Sequence, residues 1–589
     1  MAEKPVIAHS IGLTTSEKNE SGLTGTWRSE RPVFSNKIPP CQTDCPAHLN
    51  IPLWITLMQK GLFKEAWEIY VQENPFPAIC GRVCYRFCEK QCNRQYYWPQ
   101  EKGPVSINQL ERFLGDWARA NNLKPVSDPM PDLACWKDIE KETVRPSVAI
   151  IGSGPAGLSA AHYLAKNLYR VTIFEELEHA GGMLYCAIPR YRLPKDVLDD
   201  EIERMVKSLG VEIILNARVG SGKFSLKRIK DNFDYIFIAT GAHKSKEFSK
   251  TDINLAPAEK AKKLEAFGTK FSMESQGGRK IVNANIFPGL DFLKEINGGK
   301  AIRADGKIVV VLGGGNTAID AARSAVRLGA KKVIVVYRRS RKEMPAHPEE
   351  VEAALKEKIK IRFLTDIKLV LVDEFNVGIE KIICQKMKLG EPDKSGRRSP
   401  TPKEGSEFEI KADWLITAIG EEANLVFLQG ENLIGIAEIG GDAKTGPSTV
   451  VQAIAAGKAA ARRILTYSYG LEIDEWPEDR IITFEDLNPE FLREFYPFQI
   501  RVQNYHELKT GNFDEVSKTL SEKEITGESQ RCFSCGTCNF CQNCHKFCPD
   551  MSIQFGDSLP QMVSERCKGC GVCRTVCPRG VIVMEEEKK

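Results

Sequence analysis

Cysteine spacing near the C-terminus of this 589-residue chain is the pattern most specific to one kind of chemistry. The run C-x2-C-x2-C-x3-C followed by proline occurs twice, at Cys538, Cys541, Cys544 and Cys548 and at Cys567, Cys570, Cys573 and Cys577. Such runs bind [4Fe–4S] clusters, and the fourth cysteine of each run ligates the cluster of the other run. One cluster is therefore predicted on Cys538, Cys541, Cys544 and Cys577, and a second on Cys548, Cys567, Cys570 and Cys573. A zinc site would lack the third cysteine and the proline.

A glycine-rich turn predicts a dinucleotide site earlier in the chain. Gly152, Gly154 and Gly157 follow an apolar run that begins at Val148 and precede a helical pattern. Glycines at this spacing make a tight turn, let the backbone approach a pyrophosphate, and let helix and strand pack closely. Glu175 ends the next apolar run, where a carboxylate can accept hydrogen bonds from ribose hydroxyls. The alternative is a glycine turn that binds no ligand.

A second turn of the same kind contains Gly313, Gly315 and Ala318. The strand-like run after it ends at Arg338 and Arg339, and no acidic residue stands there for a ribose 2'-hydroxyl. Two guanidinium groups suit a 2'-phosphate, so the predicted coenzyme is NADP rather than NAD. The alternative is that the two arginines form an ordinary solvated basic turn.

Two dinucleotide units in one chain predict FAD in the first and a nicotinamide coenzyme in the second. Gly441 and Asp442 precede Thr449 and Val450, which open a helical pattern. An aspartate there can hold the ribityl chain of FAD, and amides at a helix N-terminus can stabilise negative charge on the flavin. Taken alone, Asp442 would be an ordinary turn residue. No nucleophile triad or carboxylate pair accompanies these motifs, and hydride transfer needs none.

The elements around the motifs predict a multidomain protein. Strand-like and helical runs alternate through the centre of the chain, which predicts two tandem Rossmann-like α/β domains with parallel sheets. Helical spacing predicts a helical iron–sulfur domain before them, and the C-terminal cysteines predict an α+β ferredoxin-like domain after them. The expected layout is an extended or poorly ordered arm at 1–38, the helical domain at 39–140, the FAD domain at 146–284 and 411–465, the NAD(P)H domain at 285–410, a linker at 466–530 and the ferredoxin-like domain at 531–589.

Composition excludes several classes of protein. There are 82 lysines and arginines against 78 acidic residues, a net charge of +4, which argues against nucleic-acid binding. Cysteine-bound metal, no signal-peptide pattern and no apolar run of about 18 residues predict a cytoplasmic protein without direct membrane insertion.

The N-terminal and central motifs resemble those of the glutamate synthase small subunit family. That family includes the electron-entry half of dihydropyrimidine dehydrogenase and the large subunit of NADH-dependent ferredoxin:NADP transhydrogenase. The shared motifs are Cys45-Pro46 with Asn50-Ile51-Pro52, Cys80-Gly81-Arg82-Val83-Cys84, Gly103-Pro104-Val105, GSGPAG from Gly152, RLPKDV from Arg192, ATG ending at Gly241, GGGNTAIDAAR from Gly313, YRR with EMPA from Glu343, and GGD with TVVQAIAAGK.

The resemblance implies FAD in the first unit and NADP(H) in the second, with Gly241 and Asn316 among the residues that bind them. It also implies [4Fe–4S] clusters in the N-terminal domain. One would be ligated by Cys45, Cys84, Cys88 and, unusually, Glu111. The other needs Cys41, Cys92 and a C-x2-C pair that the family carries just upstream of Cys41 and that this chain lacks.

Cys532 and Cys535 lie in an RCxxCG run that resembles the missing pair. We hypothesise that they fold back onto the N-terminal domain and complete its cluster with Cys41 and Cys92, for four clusters in all. The alternative is a three-cluster protein in which Cys532 and Cys535 are spare thiols or a redox pair.

The sequence therefore predicts an oxidoreductase that passes electrons between NAD(P)H and a ferredoxin or partner redox subunit, through FAD and [4Fe–4S] clusters. The expected partner is a ferredoxin or a larger redox enzyme of the 2-oxoacid or aldehyde oxidoreductase type. One alternative is a glutamate synthase small subunit, although the appended ferredoxin-like module departs from that pattern. Another is a non-enzymatic electron-transfer or assembly subunit that keeps its nucleotide folds as a scaffold.

Overall fold

The computed structural model describes residues 25–97, 103–126, 145–220, 222–246, 254–255, 285–372, 378–393, 396–429, 436–469, 481–488, 491–492, 496, 498–502, 507, 509–555 and 559–587. The expectations for 1–24 of the arm, for 127–140 of the helical domain and for 256–284 of the FAD domain lie outside these residues. No helix in the described part of the chain combines the length and apolar character that a membrane span needs.

The first parallel sheet follows the first glycine-rich motif. Its strand order is Ala437–Ile439, Tyr235–Ile238, Ser147–Ile151, Arg170–Phe174 and Glu212–Ile214. Val148 and Ile150 pack into one hydrophobic core and Ala149 and Ile151 into another, so the central strand is buried on both faces and its sequence is continuously apolar. The helices of this unit are Pro155–Lys166, Met183–Cys186, Lys195–Met205, Leu226–Asn232, Asp442–Thr445 and Val450–Tyr469, with 3-10 turns at Lys207–Leu209 and Gly222–Phe224.

The second parallel sheet follows the second glycine-rich motif. Its strand order is Lys360–Arg362, Lys332–Val336, Ile308–Leu312, Trp414–Thr417 and Ile286–Pro288. Its helices are Gly289–Asn297, Asn316–Arg327 and Pro348–Lys356. One face of the sheet packs on an antiparallel arrangement of Thr365–Val372, Ile379–Pro392, Arg398–Pro402 and Phe408–Ile410, with Asn254–Leu255 parallel to the first of these. Two parallel, Rossmann-like sheets agree with the sequence prediction.

One boundary between the two units was wrong. Residues from 411 onward were assigned to the FAD domain, but Trp414–Thr417 lies in the second sheet, between Ile308–Leu312 and Ile286–Pro288. The chain returns to the first sheet only at Ala437–Ile439. A short buried apolar strand fits either parallel sheet by its pattern, and only the pairing of the strands distinguishes them. Lys244–Ser245 pairs with Glu421–Glu422, and the 3-10 turn Val426–Leu428 follows.

The N-terminal domain is helical in its described residues. Trp54 and Tyr70 meet edge to face in its core with ring centroids 5.8 Å apart, and neither is exposed. Its helices are Pro40–Thr43, Ile51–Gln59, Phe63–Val71, Pro77–Val83, Phe87–Lys90, Arg94–Tyr97 and Ile107–Ala120. A later helix, Glu522–Gln530, begins with a capping box of Ser521 and Glu524 and packs against this domain.

The C-terminal module contains the helices Asn543–Lys546 and Val572–Thr575, the antiparallel strands Ile553–Gln554 and Gln561–Met562, and the strand Ile582–Glu586. The last strand pairs antiparallel with Glu30–Phe34, just after the 3-10 turn Gly25–Trp27. Residues 1–38 were expected to form an extended or poorly ordered arm, and residues 30–34 of it are extended and paired as a strand. Their five polar and apolar residues have no clear period, and they form a strand because the module offers them an edge to pair with.

Candidate functional site

The first glycine-rich turn borders a cavity of about 820 Å³ at the edge of the first sheet. Gly152 has φ +104°, and a Cβ there would lie 2.6 Å from the carbonyl oxygen of Ala239, so only glycine fits. Gly154 has no neighbouring atom within 4 Å of the place a Cβ would take, and it caps the helix Pro155–Lys166. Gly157 packs against Gly152. The turn thus leaves open space at a helix N-terminus, which fits a pyrophosphate.

Glu175 lines this cavity and also braces the turn. Its Oε2 accepts hydrogen bonds from the backbone N–H of Ser153 at 2.8 Å and from the Ser153 hydroxyl at 2.5 Å. Its Oε1 accepts from the backbone N–H of Leu177 at 2.9 Å. The sequence suggested a ribose ligand, and the structure adds that the same carboxylate holds the glycine turn in place.

A second cavity, of about 190 Å³, lies between the two nucleotide units. It shares Gly154 and Gly241 with the first cavity, so the two cavities adjoin. The predicted FAD contacts Asp442, Thr449 and Val450 line it, and Val450 begins the helix Val450–Tyr469. Burial raises the pKa of Asp442, whose carboxylate accepts a hydrogen bond from Ser448. Gly441, immediately before it, caps the helix Asp442–Thr445.

The second glycine-rich turn reaches the same cavity through Asn316, the first residue of the helix Asn316–Arg327. Gly313 repeats the backbone geometry of Gly152, with φ +142° and a Cβ position 2.2 Å from the carbonyl oxygen of Ala418. Gly315 has open space where a side chain would be, and Ala318 is fully buried. Gly154 of the first motif and Asn316 of the second therefore line one cavity, and the open space at Gly154 and Gly315 suits the close approach of phosphates.

The two arginines predicted to recognise a 2'-phosphate separate in the structure. Arg339 is buried. Its Nε donates to the carbonyl oxygen of Arg398 at 2.8 Å, and its Nη2 lies 2.5 Å from a carboxylate oxygen of Asp393. Arg338 is exposed. The two predicted residues therefore differ in the structure, since Arg339 already has a carboxylate partner whereas Arg338 is exposed.

Sequence reasoning missed an ion pair that joins the two units. Arg192 of the first unit lies 2.8 Å from a carboxylate oxygen of Asp320 and 3.3 Å from one of Glu350, both in the second unit. Burial alone would lower the pKa of Arg192, but the two carboxylates raise it above its ordinary value. Arg192 and Asp320 both line the shared cavity. The signal in the sequence was the RLPKDV motif, which carried the family resemblance but no assigned role.

Lys195 of the same motif is a second missed residue. Its Nζ donates to the carbonyl oxygens of Leu184, Tyr185 and Ile188, at 3.1, 2.5 and 3.0 Å. Ile188 lines the shared cavity, so the hydrogen bond from Lys195 holds the backbone of the cavity wall in place.

One group of predicted metal ligands lies together in the N-terminal domain. Burial raises the pKa of Cys84 and of Cys88, and Cys45 and Glu111 raise both further because they lie within electrostatic reach. Glu111 accepts hydrogen bonds from Asn108, at 3.1 Å, and from the hydroxyl of Tyr70. Cys80, which was not predicted as a ligand, accepts a hydrogen bond from Asn74 at 3.2 Å.

A second group surrounds a cavity between the N-terminal domain and the start of the C-terminal module. The cavity is lined by Cys41, Cys92, Cys532 and Cys535. All four are partly buried, and burial together with the neighbouring thiols raises the pKa of Cys41 well above its ordinary value.

The C-terminal cysteines form the two groups that their spacing predicts. One cavity is lined by Cys548, Cys567, Cys570 and Cys573. Burial raises the pKa of Cys544 to about 12, and Cys577, Cys541 and Cys538 add to the rise. Nowhere in the described residues do three or more His, Cys, Asp or Glu side chains converge as a single metal ion requires. Groups of four thiols match the donor set of a [4Fe–4S] cluster.

Glycine turns that open onto one cavity and thiol groups close beside it define a class of protein: an iron–sulfur flavoprotein that works with a pyridine nucleotide. Family models agree. Residues 146–441 match pyridine nucleotide-disulphide oxidoreductase, 27–123 match domain II of dihydropyrimidine dehydrogenase with its 4Fe-4S cluster, and 560–583 match a 4Fe-4S binding domain. The chain belongs to the pyridine nucleotide-disulphide oxidoreductase family, in the group that resembles the glutamate synthase small chain.

Three relatives are similar to this chain over most of its length. The NADP(+)-dependent formate dehydrogenase subunit beta of Moorella thermoacetica is 36% identical over 539 residues, which cover 84% of this chain and 70% of the relative. The NADPH-Fe(3+) oxidoreductase subunit beta of Geobacter sulfurreducens is 34% identical over 547 residues, which cover 84% and 75%. The glutamate synthase [NADPH] small chain of Azospirillum brasilense is 31% identical over 454 residues, which cover 73% and 86%.

The chain is therefore an oxidoreductase with FAD, NADP and [4Fe–4S] clusters as cofactors, and it passes electrons between NAD(P)H and a redox partner. This confirms the function and the cofactors that the sequence predicted.

Proposed function

We propose that the cavity between the two units is where a bound nicotinamide meets a bound flavin, and that electrons leave it through the N-terminal cysteines toward the C-terminal module. The observation that carries this proposal is that three domains contribute to the cavity wall. Asp442 belongs to the first unit, Asn316 to the second, and Val83 and Tyr85 to the N-terminal domain. Bound FAD supplies the ability to accept a hydride and to release single electrons.

The residues of the chain would bind and orient the two nucleotides. Gly152, Gly154, Gly157 and Glu175 hold the turn at which the pyrophosphate of FAD would lie, and Gly241, Gly441, Asp442, Thr449 and Val450 border the flavin end. Gly313, Gly315, Asn316 and Ala318 form the equivalent turn for NADP. Arg338, exposed at the end of the strand Lys332–Val336, would bind the 2'-phosphate.

Cys84 connects the cavity to the first cysteine group. It lies between Val83 and Tyr85, which both line the cavity, so a centre held by Cys45, Cys84, Cys88 and Glu111 would lie directly behind the cavity wall. The short separation between the cavity and this cysteine group favours the group as the entry point for electrons from the flavin. From there they would pass to the module that contains Cys538–Cys577.

We propose a ferredoxin or a larger redox enzyme, of the 2-oxoacid or aldehyde oxidoreductase type, as the partner. Cys570 of the C-terminal module is exposed, and so are Phe540, Phe547 and Met551 of the same module. Exposed apolar side chains in a module that also carries an exposed ligand suit a protein that docks for electron transfer. The relatives from Moorella and Geobacter are named as subunits, which supports a partner complex.

A single substitution tests the exit route. In full-length Cys570→Ser, NADPH should still bleach the flavin absorbance, whereas reduction of an added ferredoxin should be lost because the exposed cluster site is damaged. Thr575→Ala, at an exposed residue of the same module, is the matched control and should reduce ferredoxin at the normal rate. Ferredoxin reduction by Cys570→Ser at the full rate would place the exit elsewhere.

A glutamate synthase small subunit is the second candidate, favoured by the identity with the Azospirillum protein. Glutamine-dependent oxidation of NADPH after addition of a large amidotransferase subunit would identify it. A preparation that holds clusters but no flavin would instead identify a non-enzymatic electron-transfer subunit.

A further inference from the structure

Two segments that are far apart in the sequence meet at the cavity between the N-terminal domain and the C-terminal module. Cys41 and Cys92 come from the N-terminal domain, and Cys532 and Cys535 come from a segment more than 400 residues later in the chain. The side chain of Asn93, from the N-terminal domain, also contacts this group, with its Nδ2 3.6 Å from the Sγ of Cys535. Four thiols around one cavity are the donor set of a cubane cluster.

The later segment is anchored to the N-terminal domain just before Cys532. Arg531 is completely buried, and its guanidinium donates to the carbonyl oxygens of Gly103 and Pro104, each at 2.9 Å. Glu528 pairs with Arg531 at 2.6 Å and accepts the backbone N–H of Ser106 at 2.7 Å. A buried charge pair with these partners is costly to break, so it holds the segment in one register.

Contacts between and after the two cysteines complete the attachment. The hydroxyls of Thr56 and Ser534 are 3.0 Å apart, and the guanidinium of Arg94 lies 4.9 Å above the ring of Phe533. The backbone N–H of Lys37 donates to the carbonyl oxygen of Gly536 at 2.7 Å. Thr56 and Arg94 belong to the N-terminal domain and Lys37 to the arm before it, so the position of the two thiols does not depend on the C-terminal module alone.

We propose that Cys41, Cys92, Cys532 and Cys535 together ligate one [4Fe–4S] cluster, which connects the N-terminal domain to the C-terminal module. The inference deepens the proposed function and rests on it, because it supplies the middle of the electron route. Cys45 lies within electrostatic reach of Cys41 on the flavin side, and Cys538 follows Cys535 by three residues on the exit side.

The chemistry at this site would be transfer of one electron at a time. The neighbouring centre on the flavin side loses the electron, this site gains it, and the site then gives it to the C-terminal centres. No covalent bond forms or breaks and no proton is required. NADPH is the source of the electrons and the redox partner takes them up.

Iron content tests the proposal on the full-length protein. Four clusters predict about sixteen iron atoms per chain in fully reconstituted wild type. The double variant Cys532→Ser, Cys535→Ser should hold about twelve, with the same FAD content and with the C-terminal cluster signals of the dithionite-reduced protein retained in electron paramagnetic resonance. Cys384→Ala is the matched control and should keep about sixteen, since Cys384 is a buried cysteine in a hydrophobic core that contains none of the proposed ligands.

Three results would overturn the proposal. Wild type with about twelve iron atoms would leave the site without a cluster, and this measurement does not depend on how the variant folds. About sixteen iron atoms in the double variant would place the fourth cluster on other ligands. One zinc ion per chain that disappears in the double variant would make the site a zinc site. Failure of the proposed function would appear separately, as loss of FAD or of flavin reduction by NADPH.

Discussion

Arg192 and Asp320 form a buried ion pair across the boundary between the two nucleotide units, with nitrogen–oxygen distances of 2.8 and 3.1 Å from one guanidinium nitrogen to the two carboxylate oxygens. Both side chains line the cavity that the units share. The pair therefore couples the relative position of the units to the shape of the site where both nucleotides are proposed to meet.

Asp320→Asn should destabilise the protein by about 3–5 kcal/mol, because Arg192 stays buried but loses the charge of one of its two carboxylate partners. The urea-unfolding midpoint measures this change. Arg303→Ala is the control: Arg303 is also paired with an aspartate, Asp305 at 2.7 Å, but both side chains are exposed. Its effect should be within about 0.5 kcal/mol. Equal losses of stability in the two variants would show that the buried Arg192–Asp320 pair stabilises the protein no more than an exposed pair does.

Arg338 and Arg339 should respond differently to substitution. Arg338→Ala should weaken NADPH binding about tenfold to a hundredfold and leave NADH binding nearly unchanged, because only the 2'-phosphate loses a charged donor. Arg339→Ala should mainly lower stability, since it breaks the pair with Asp393. Dissociation constants for both coenzymes test this. A similar loss for NADPH and NADH in Arg338→Ala would contradict the assignment.

Gly154→Val should abolish retention of FAD without unfolding the chain. The backbone at Gly154 is extended, with φ −67° and ψ 178°, which valine adopts, and its side chain would enter the open space of the cavity. The ratio of flavin to protein after purification is the measurement. Gly511→Val is the control, because Gly511 also has open space around it but lies far from the cavity lining. Normal FAD content in Gly154→Val would move the pyrophosphate away from this turn.

Glu201 predicts a pH dependence of stability. Its carboxylate accepts the backbone N–H groups of Ala78 and Ile79, both at 3.0 Å, and burial raises its pKa from 4.5 to about 7. The folded state binds the proton more tightly than the unfolded state, so the stabilising contribution of Glu201 is complete below pH 4.5 and is lost as the pH rises to about 7.

Glu201→Gln should remove this slope, which is at most about 1.4 kcal/mol per pH unit. Thermal unfolding midpoints at pH 5.5 and 7 compare the variant with wild type. Glu203→Gln, on the same helix but with an exposed side chain, should keep the wild-type pH dependence. An unchanged slope in Glu201→Gln would assign the pH dependence to another group.

Arg579 should raise the reduction potentials of the centres next to it. It is buried, and its positive charge lowers the pKa of Cys535 and of Cys577, on two different cysteine groups, against the dominant effect of burial. Arg579→Gln should lower the potential of the nearby centres, because a cation stabilises the more negative reduced form. Arg579→Lys should retain most of the effect.

Redox titration followed by electron paramagnetic resonance measures these potentials. Arg574→Gln removes an exposed charge from the same module and should shift them less, since water and salt screen it. Equal shifts for Arg574→Gln and Arg579→Gln would mean that burial of the charge is unimportant.

Local patterns were enough for much of the site. The glycine turns, the C-terminal cysteine groups and the parallel sheets could be predicted because each is signalled by short motifs whose residues lie close together in the chain. Arg339 shows the limit of such patterns, since its partner Asp393 lies 54 residues away in the sequence, just after the strand Ile379–Pro392. The same limit explains Trp414–Thr417, whose apolar sequence suits either sheet.

The sequence by itself determined the chemistry of this protein, because cluster and dinucleotide motifs place most of their donors within a few residues of one another. Only the tertiary structure decided how these motifs meet. It pairs Arg192 with Asp320, pairs Arg339 with Asp393, and brings Cys532 and Cys535 to Cys41 and Cys92. The physical reason is that such contacts depend on buried charge pairs and strand edges between distant segments, and no local spacing encodes which segments will pack together.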